Sequence, residues 1–118
     1  CSSDDVYAVG GREVLHFDGA AWSKVELSLG NDVNGVYCAA PDSVGITGMG
    51  GLKQRLVNGE WQNEFASDPH GDLHSIWADE EGSFWVAGGD FITGVKPNQP
   101  RNGIIARYGQ EFIPDSLE

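Results

Sequence analysis

Between Leu73 and Gly89 the sequence LHSIWADEEGSFWVAGG sets two short apolar runs on either side of an acidic turn and closes on paired glycines. Such a pattern reads as strand, tight turn, strand. It occurs earlier as Val33 to Gly48, and its second half occurs again as Val6 to Gly11. Helix competes poorly, because no window of ~11 residues carries apolar positions at i, i+3, i+4 and i+7 without a Gly or Pro interrupting it. The apolar windows are short, aromatic and β-branched, and Asp, Asn, Gly and Pro bound them.

Aligning Gly10, Gly48 and Gly88 gives a repeat of about 40 residues. Val6, Val44 and Phe84 then correspond, as do Val9, Thr47 and Ala87. Phe17, Val57 and Tyr108 follow, each before a Gly-containing turn (Gly19, Gly59, Gly109) and an aromatic (Trp22, Trp61, Phe112). Val33, Val36 and Tyr37 match Leu73, Ile76 and Trp77. The repeat predicts second strands at 5–10, 43–48 and 83–88, and third strands at 12–17, 52–57 and 103–108. Fourth strands are expected at 21–26, 61–65 and 111–114. A first, inner strand occurs twice, at 33–38 and 72–78. Glycine pairs Gly10-Gly11 and Gly50-Gly51 supply the positive φ of the second-to-third turns. Asp18-Gly19 and Asn58-Gly59 are strong hairpin signals.

Four strands per repeat of this length are the signature of a β-propeller blade. The expected fold is therefore all-β: a single propeller segment over 1–118, with approximate units 1–32, 33–71 and 72–118. Two inner strands for three units leave the set one inner strand short, and three blades fall short of the ~4–8 that close a ring. The chain is thus expected to be a fragment of a longer propeller, or to be completed by further blades from another chain. Trp22, Trp61, Trp77 and Trp85 are expected in the core between sheets, where aromatics bury ~150–250 Å² each.

Composition narrows the function. Net charge is −11 with only 7 basic residues, which argues against nucleic acid as a partner. No run of ~18 apolar residues could span a bilayer. The 17 glycines lack a Gly-X-Y period and fit many turns between short strands. Two cysteines, Cys1 and Cys38, do not make a disulfide scaffold. Cys1 reads either as the start of the chosen segment or as a lipid-bearing first residue.

Two stretches resemble known families. Ile76-Trp77-Ala78-Asp79 through Gly82-Ser83-Phe84-Trp85-Val86-Ala87-Gly88 is similar to the repeat of two-component-regulator-type and related bacterial propellers. Asp5-Val6-Tyr7-Ala8-Val9-Gly10, with His16-Phe17-Asp18-Gly19 and Trp22, resembles the variant in large secreted bacterial propeller proteins. The resemblance implies a propeller and an extracytoplasmic, bacterial setting. It leaves function open, because propellers host unrelated activities. The turn Asp79-Glu80-Glu81-Gly82 departs from the sialidase Asp-box, which spaces its Asp and Gly one residue closer.

Candidate chemistry falls on one rim. The connection 90–102 is long where equivalent turns have two or three residues, and insertions on repeat scaffolds often form binding loops. Phe91, Asn98 and Arg101 would supply stacking, amide and cationic contacts. Asp72 and Asp90 would accept hydrogen bonds, with His70 beside them. His70, Asp72 and Asp90 could take Ca²⁺ or Zn²⁺, although no cofactor is required and no metal spacing is enforced. His74 either lines a central channel or is a hydrogen-bonded core residue. Strand alternation sets Leu73, Ser75 and Trp77 apart from His74, Ile76 and Ala78. Nucleophile, phosphate-loop and Cys-x-x-Cys motifs are absent. The sequence therefore predicts a non-catalytic module binding a protein or glycan. The alternatives are part of a multi-blade glycosidase or lyase, or a sensor ectodomain.

Overall fold

The computed structural model describes residues 1–64, 69–89, 97–98 and 100–109. The strands among them are β1 (Val6–Gly10), β2 (Glu13–Phe17), β3 (Trp22–Lys24), β4 (Val33–Ala40), β5 (Ser43–Gly48), β6 (Lys53–Val57), β7 (Glu60–Asn63), β8 (Asp72–Ala78), β9 (Phe84–Gly89) and β10 (Gly103–Tyr108). Helix among these residues is limited to one 3-10 turn at Met49–Gly51. Every strand pairs antiparallel with its chain neighbour, in three sheets: β1-β2-β3, β4-β5-β6-β7 and β8-β9-β10. No ring closes among the described residues. The segment expected as a strand at 111–114 lies outside them.

Turn chemistry sets the registers. Asn58 (φ 50°) and Gly59 (φ 83°) are both left-handed, so Val57 pairs directly with Glu60 across a two-residue turn. Gly50 (φ 64°) and Gly51 (φ 81°) turn β5 into β6. In the first hairpin only Gly11 is left-handed, and Gly10 is the last residue of β1. The Asp18-Gly19 turn is longer than a two-residue hairpin, since Phe17 pairs with Trp22. Its Asp18 carboxylate caps the bend by accepting from the Ala20 and Ala21 amides, both at 2.9 Å. The outer strands β3 and β7 are shorter than expected, yet single ladder bonds continue beyond each: Val25 N to Val14 O, 2.8 Å, and Glu64 N to Lys53 O, 2.9 Å.

The sheets pack face against face, and alternation decides which residues meet. Val14, Val33, Ile46 and Leu52 form the core between the first two sheets, with Tyr7, Val9 and Trp61 around them. Leu73, Phe84, Val86 and Tyr108 form the core of the third sheet. That core meets the second sheet across Gly45, where any Cβ would come within 2.6 Å of the Phe84 ring. The Tyr108 hydroxyl donates to Ile46 O (3.2 Å) and Gln54 O (3.4 Å), tying the third sheet to the second.

The tryptophans depart from expectation. Trp22 is 52 % exposed and Trp77 47 % exposed, while Trp61 and Trp85 are half-buried. Trp77 and Trp85 lie on the far face of the third sheet, and Trp22 lies on the far face of the first. Repeat-equivalent positions are buried only where a neighbouring sheet covers them.

Cys1 and Cys38 form a disulfide that fastens the N-terminal residues to β4, with Cα atoms 5.2 Å apart.

Candidate functional site

The turns between second and third strands gather at one end of the sheets with the segments that enter β4 and β8. Val33 N donates to Gly11 O at 2.7 Å, and Met49 N donates to Asp32 O at 2.9 Å. Gly50 N donates to the Asp72 carboxylate at 3.1 Å. Lys53, 1 % exposed, spends its ammonium on Gly51 O (2.8 Å) and Pro69 O (2.7 Å). A buried ammonium is tolerable only with such partners, so Lys53 clamps the segment before β8 onto the preceding turn. Arg12 and Asp32 add an exposed ion pair at 3.5 Å, a contact of little energetic weight.

The expected site residues divide on this frame. His70 and Asp72 lie together against the Gly50-Gly51 turn. His70 is exposed, while Asp72 is half-buried and anchors a turn. Asn98 and Arg101 are exposed on the connection from β9 to β10, with Asn98 left-handed at φ 65°. That connection returns to the same end, since Gly89 pairs with Gly103. Asp90 and Phe91 lie outside the described residues. Among the described residues no group of three or more His, Cys, Asp or Glu is placed to hold a metal.

One feature the sequence concealed is a pair of equivalent bulges. In β4 the register slips between Val33 and Gly35, and in β8 it slips between Leu73 and Ser75. The extra residues are Asn34 and His74. The slip overturns the simple alternation expected for β8: Leu73 is fully buried in the same cluster as Ile76 and Ala78, while Ser75 and Trp77 are exposed. Bulges re-aim side chains. Here they set Asn34 and His74 along an open groove of about 460 Å³, lined also by Ala8, Gly35, Val36 and Ser75. Asn34 Nδ2 donates to Leu73 O at 3.0 Å and bridges the two inner strands. His74 is half-buried beside this groove, and with no closed ring among the described residues there is no central channel for it to line. A slip at the same place in both repeats was the only available signal, and hydropathy does not carry it.

The acidic turn is held by its own hydrogen bonds. Asp79 accepts from Glu81 N and Ser83 N, both at 3.0 Å, and from Trp85 Nε1 at 2.9 Å. Arg107 stands 3.5 Å from the same carboxylate and 5.6 Å from the Trp85 ring centre. The Trp85 hydrogen bond foremost, then the two amides and Arg107, hold the Asp79 carboxyl below its ordinary value against some desolvation. A general acid needs the opposite shift. His16 and Asp5 pair at 2.7 Å in a half-buried site, with the Tyr7 ring stacked on the imidazole at 4.3 Å. Burial first, and Asp5 second, push the Tyr7 phenol up. This cluster lies on β1, β2 and the residue just before β1.

No protein-family model matches the chain, and no curated protein or solved structure matches it.

Proposed function

We propose that the chain is a non-catalytic binding module of β-propeller type, which takes a protein or carbohydrate on the end where its turns converge. Its three units are blades, completed by further blades. The observation that carries this reading is the twin bulge: two repeats set Asn34 and His74 along one groove, beside a rim built from Gly11, Asp32, Gly50 and Asp72. The groove offers amide and hydroxyl groups beside small apolar residues, with the partly buried His74 along it, which suits hydroxyl-rich or peptide ligands. His70, Asn98 and Arg101 extend the polar surface outward, with Asp90 and Phe91 as further contacts on the same connection. Asp72 acts by holding the Gly50 turn. Ca²⁺ remains a candidate ligand through Asp90 and His70. The Cys1–Cys38 bond supports an oxidising, extracytoplasmic setting.

Glycan-array and peptide-library screening of the wild-type chain tests the reading. Two variants run beside it: Asn34→Ala/His74→Ala, and one with 91–102 replaced by a two-residue turn. A ligand bound by wild type and weakened at least about tenfold in either variant supports it. Binding untouched by both variants, or no ligand in either screen, overturns it.

A further inference from the structure

The three sheets repeat one another closely enough to show what each face expects. Pairing registers make Tyr7, Gly45 and Trp85 equivalent, and likewise Val14, Lys53 and Ile105. In the first two sheets these positions face the next sheet in the chain. Val14 and Lys53 are 0 % and 1 % exposed, whereas Ile105 is 71 % exposed. The side facing the previous sheet carries Val6, Val44 and Phe84, and beside them Ala8, Ile46 and Val86. Val44, Phe84, Ile46 and Val86 are at most 1 % exposed, while Val6 and Ala8 are only half-buried.

At the positions equivalent to Tyr7 and Val6, residue size alternates along the stack. Tyr7, a large residue, lies on the face that meets the one carrying Val44. Gly45 is small because it meets Phe84. On the open face of the third sheet the equivalent residue is large again, Trp85. The open face of the first sheet answers at the equivalent position with the small residues Val6 and Ala8, and carries Phe17 and the exposed Trp22 beside them. Trp77, Trp85, Ala87 and Ile105 border a hollow of about 130 Å³. Ala8, Gly10, Glu13 and Leu15 border one of about 240 Å³ on the first sheet.

We infer that these two open faces are the halves of one interface, and that a second copy of this chain packs the Val6–Ala8–Leu15 face of its first sheet onto the Trp77–Trp85–Ile105 face of the third. The contact is head-to-tail, so each copy keeps one face free for another. Packing of a large residue against a small one repeats the arrangement of Phe84 against Gly45 at the second junction, and burial of two tryptophans and an isoleucine drives it. This inference rests on sheet stacking and is independent of any ligand at the rim.

Sedimentation velocity over a concentration series tests it with three proteins: wild type, Ile105→Asp and Ala8→Asp. Circular dichroism checks that each variant is folded. Wild-type mass is expected to rise above 12.7 kDa with concentration, and each variant alone to associate at least about tenfold more weakly. The decisive arm mixes the variants. Ile105→Asp keeps an intact first-sheet face and Ala8→Asp an intact third-sheet face, so the mixture forms a dimer that neither makes alone. A wild-type chain that stays monomeric at its solubility limit overturns the inference. A mixture that stays monomeric while wild type associates also overturns it, as does association unchanged in both variants. If a variant fails to fold, Trp85→Arg or Leu15→Arg replaces it with the same expectations.

Discussion

Gly10, Gly48 and Gly88 occupy one position of the repeat in three surroundings, and replacing each by Ala gives an internally controlled experiment. At Gly88 an added Cβ would overlap Asp72 O and lie 2.7 Å from Leu73 Cα. At Gly48 it would overlap Asp32 O and lie 2.9 Å from Val33 Cα. Carbon atoms pack at ~3.5–4.0 Å, so the entry to β8 or β4 would have to move away. Overpacking of this kind costs ~1–3 kcal/mol. At Gly10 a Cβ meets nothing within 4 Å, and φ is not left-handed. Gly10→Ala therefore keeps only the entropic benefit of losing a strand glycine, ~0.5–1 kcal/mol. The assay is urea unfolding followed by tryptophan emission. With a slope of ~1–3 kcal/mol/M, G48A and G88A should each lower the midpoint by roughly 1 M. G10A should hold or raise it. Equal losses at all three positions would refute the reasoning, because they would place an inner strand against Gly10 as well.

Other perturbations have equally definite outcomes. Reducing the Cys1–Cys38 bond opens a loop spanning 37 residues of sequence; loop entropy puts the loss near ~4 kcal/mol, and a urea midpoint insensitive to reductant would contradict it. Tyr108→Phe leaves Ile46 O and Gln54 O without the phenol donor and should cost ~1–2 kcal/mol in the same assay. Burial foremost, with Glu64 adding, pushes the Tyr108 phenol well above its ordinary value of 10.0. A raised phenol pKa gives stability that is complete below 10.0 and lost as pH climbs past it, so Y108F should flatten the alkaline limb of a stability–pH curve. The depressed Asp79 carboxyl works in the opposite direction: its contribution is present above 3.8 and is lost as pH falls through the lower folded value. Asp79→Asn should therefore remove part of the acid-limb slope, and an unchanged slope would show that the turn does not need the charge.

Much of the sheet plan was legible because it is written in short-range chemistry. Asn58-Gly59 demands a two-residue turn, and the 40-residue recurrence of glycine and aromatics places strands such as β5 and β9 within a residue or two of their observed ends. Long-range facts were hidden. Trp22 and Trp77 look like core residues in any window, and only the position of their sheets at the two ends of the stack leaves them exposed. The bulges at Asn34 and His74 insert a residue without changing hydropathy, so alternation put Leu73 on the wrong face. Asp72 was legible as a rim residue, but its work of holding the Gly50 amide depends on a contact 22 residues away. Cysteine number alone could not say that Cys1 reaches β4.

The stacking of one repeat on the next is tested most directly by nuclear Overhauser contacts in solution. Phe84 ring protons should show strong cross-peaks to the Gly45 α-protons, and the Tyr108 ring should show them to residues of β5 and β6. Cross-peaks confined within each sheet, with none between Phe84 and Gly45, would contradict the stacked arrangement.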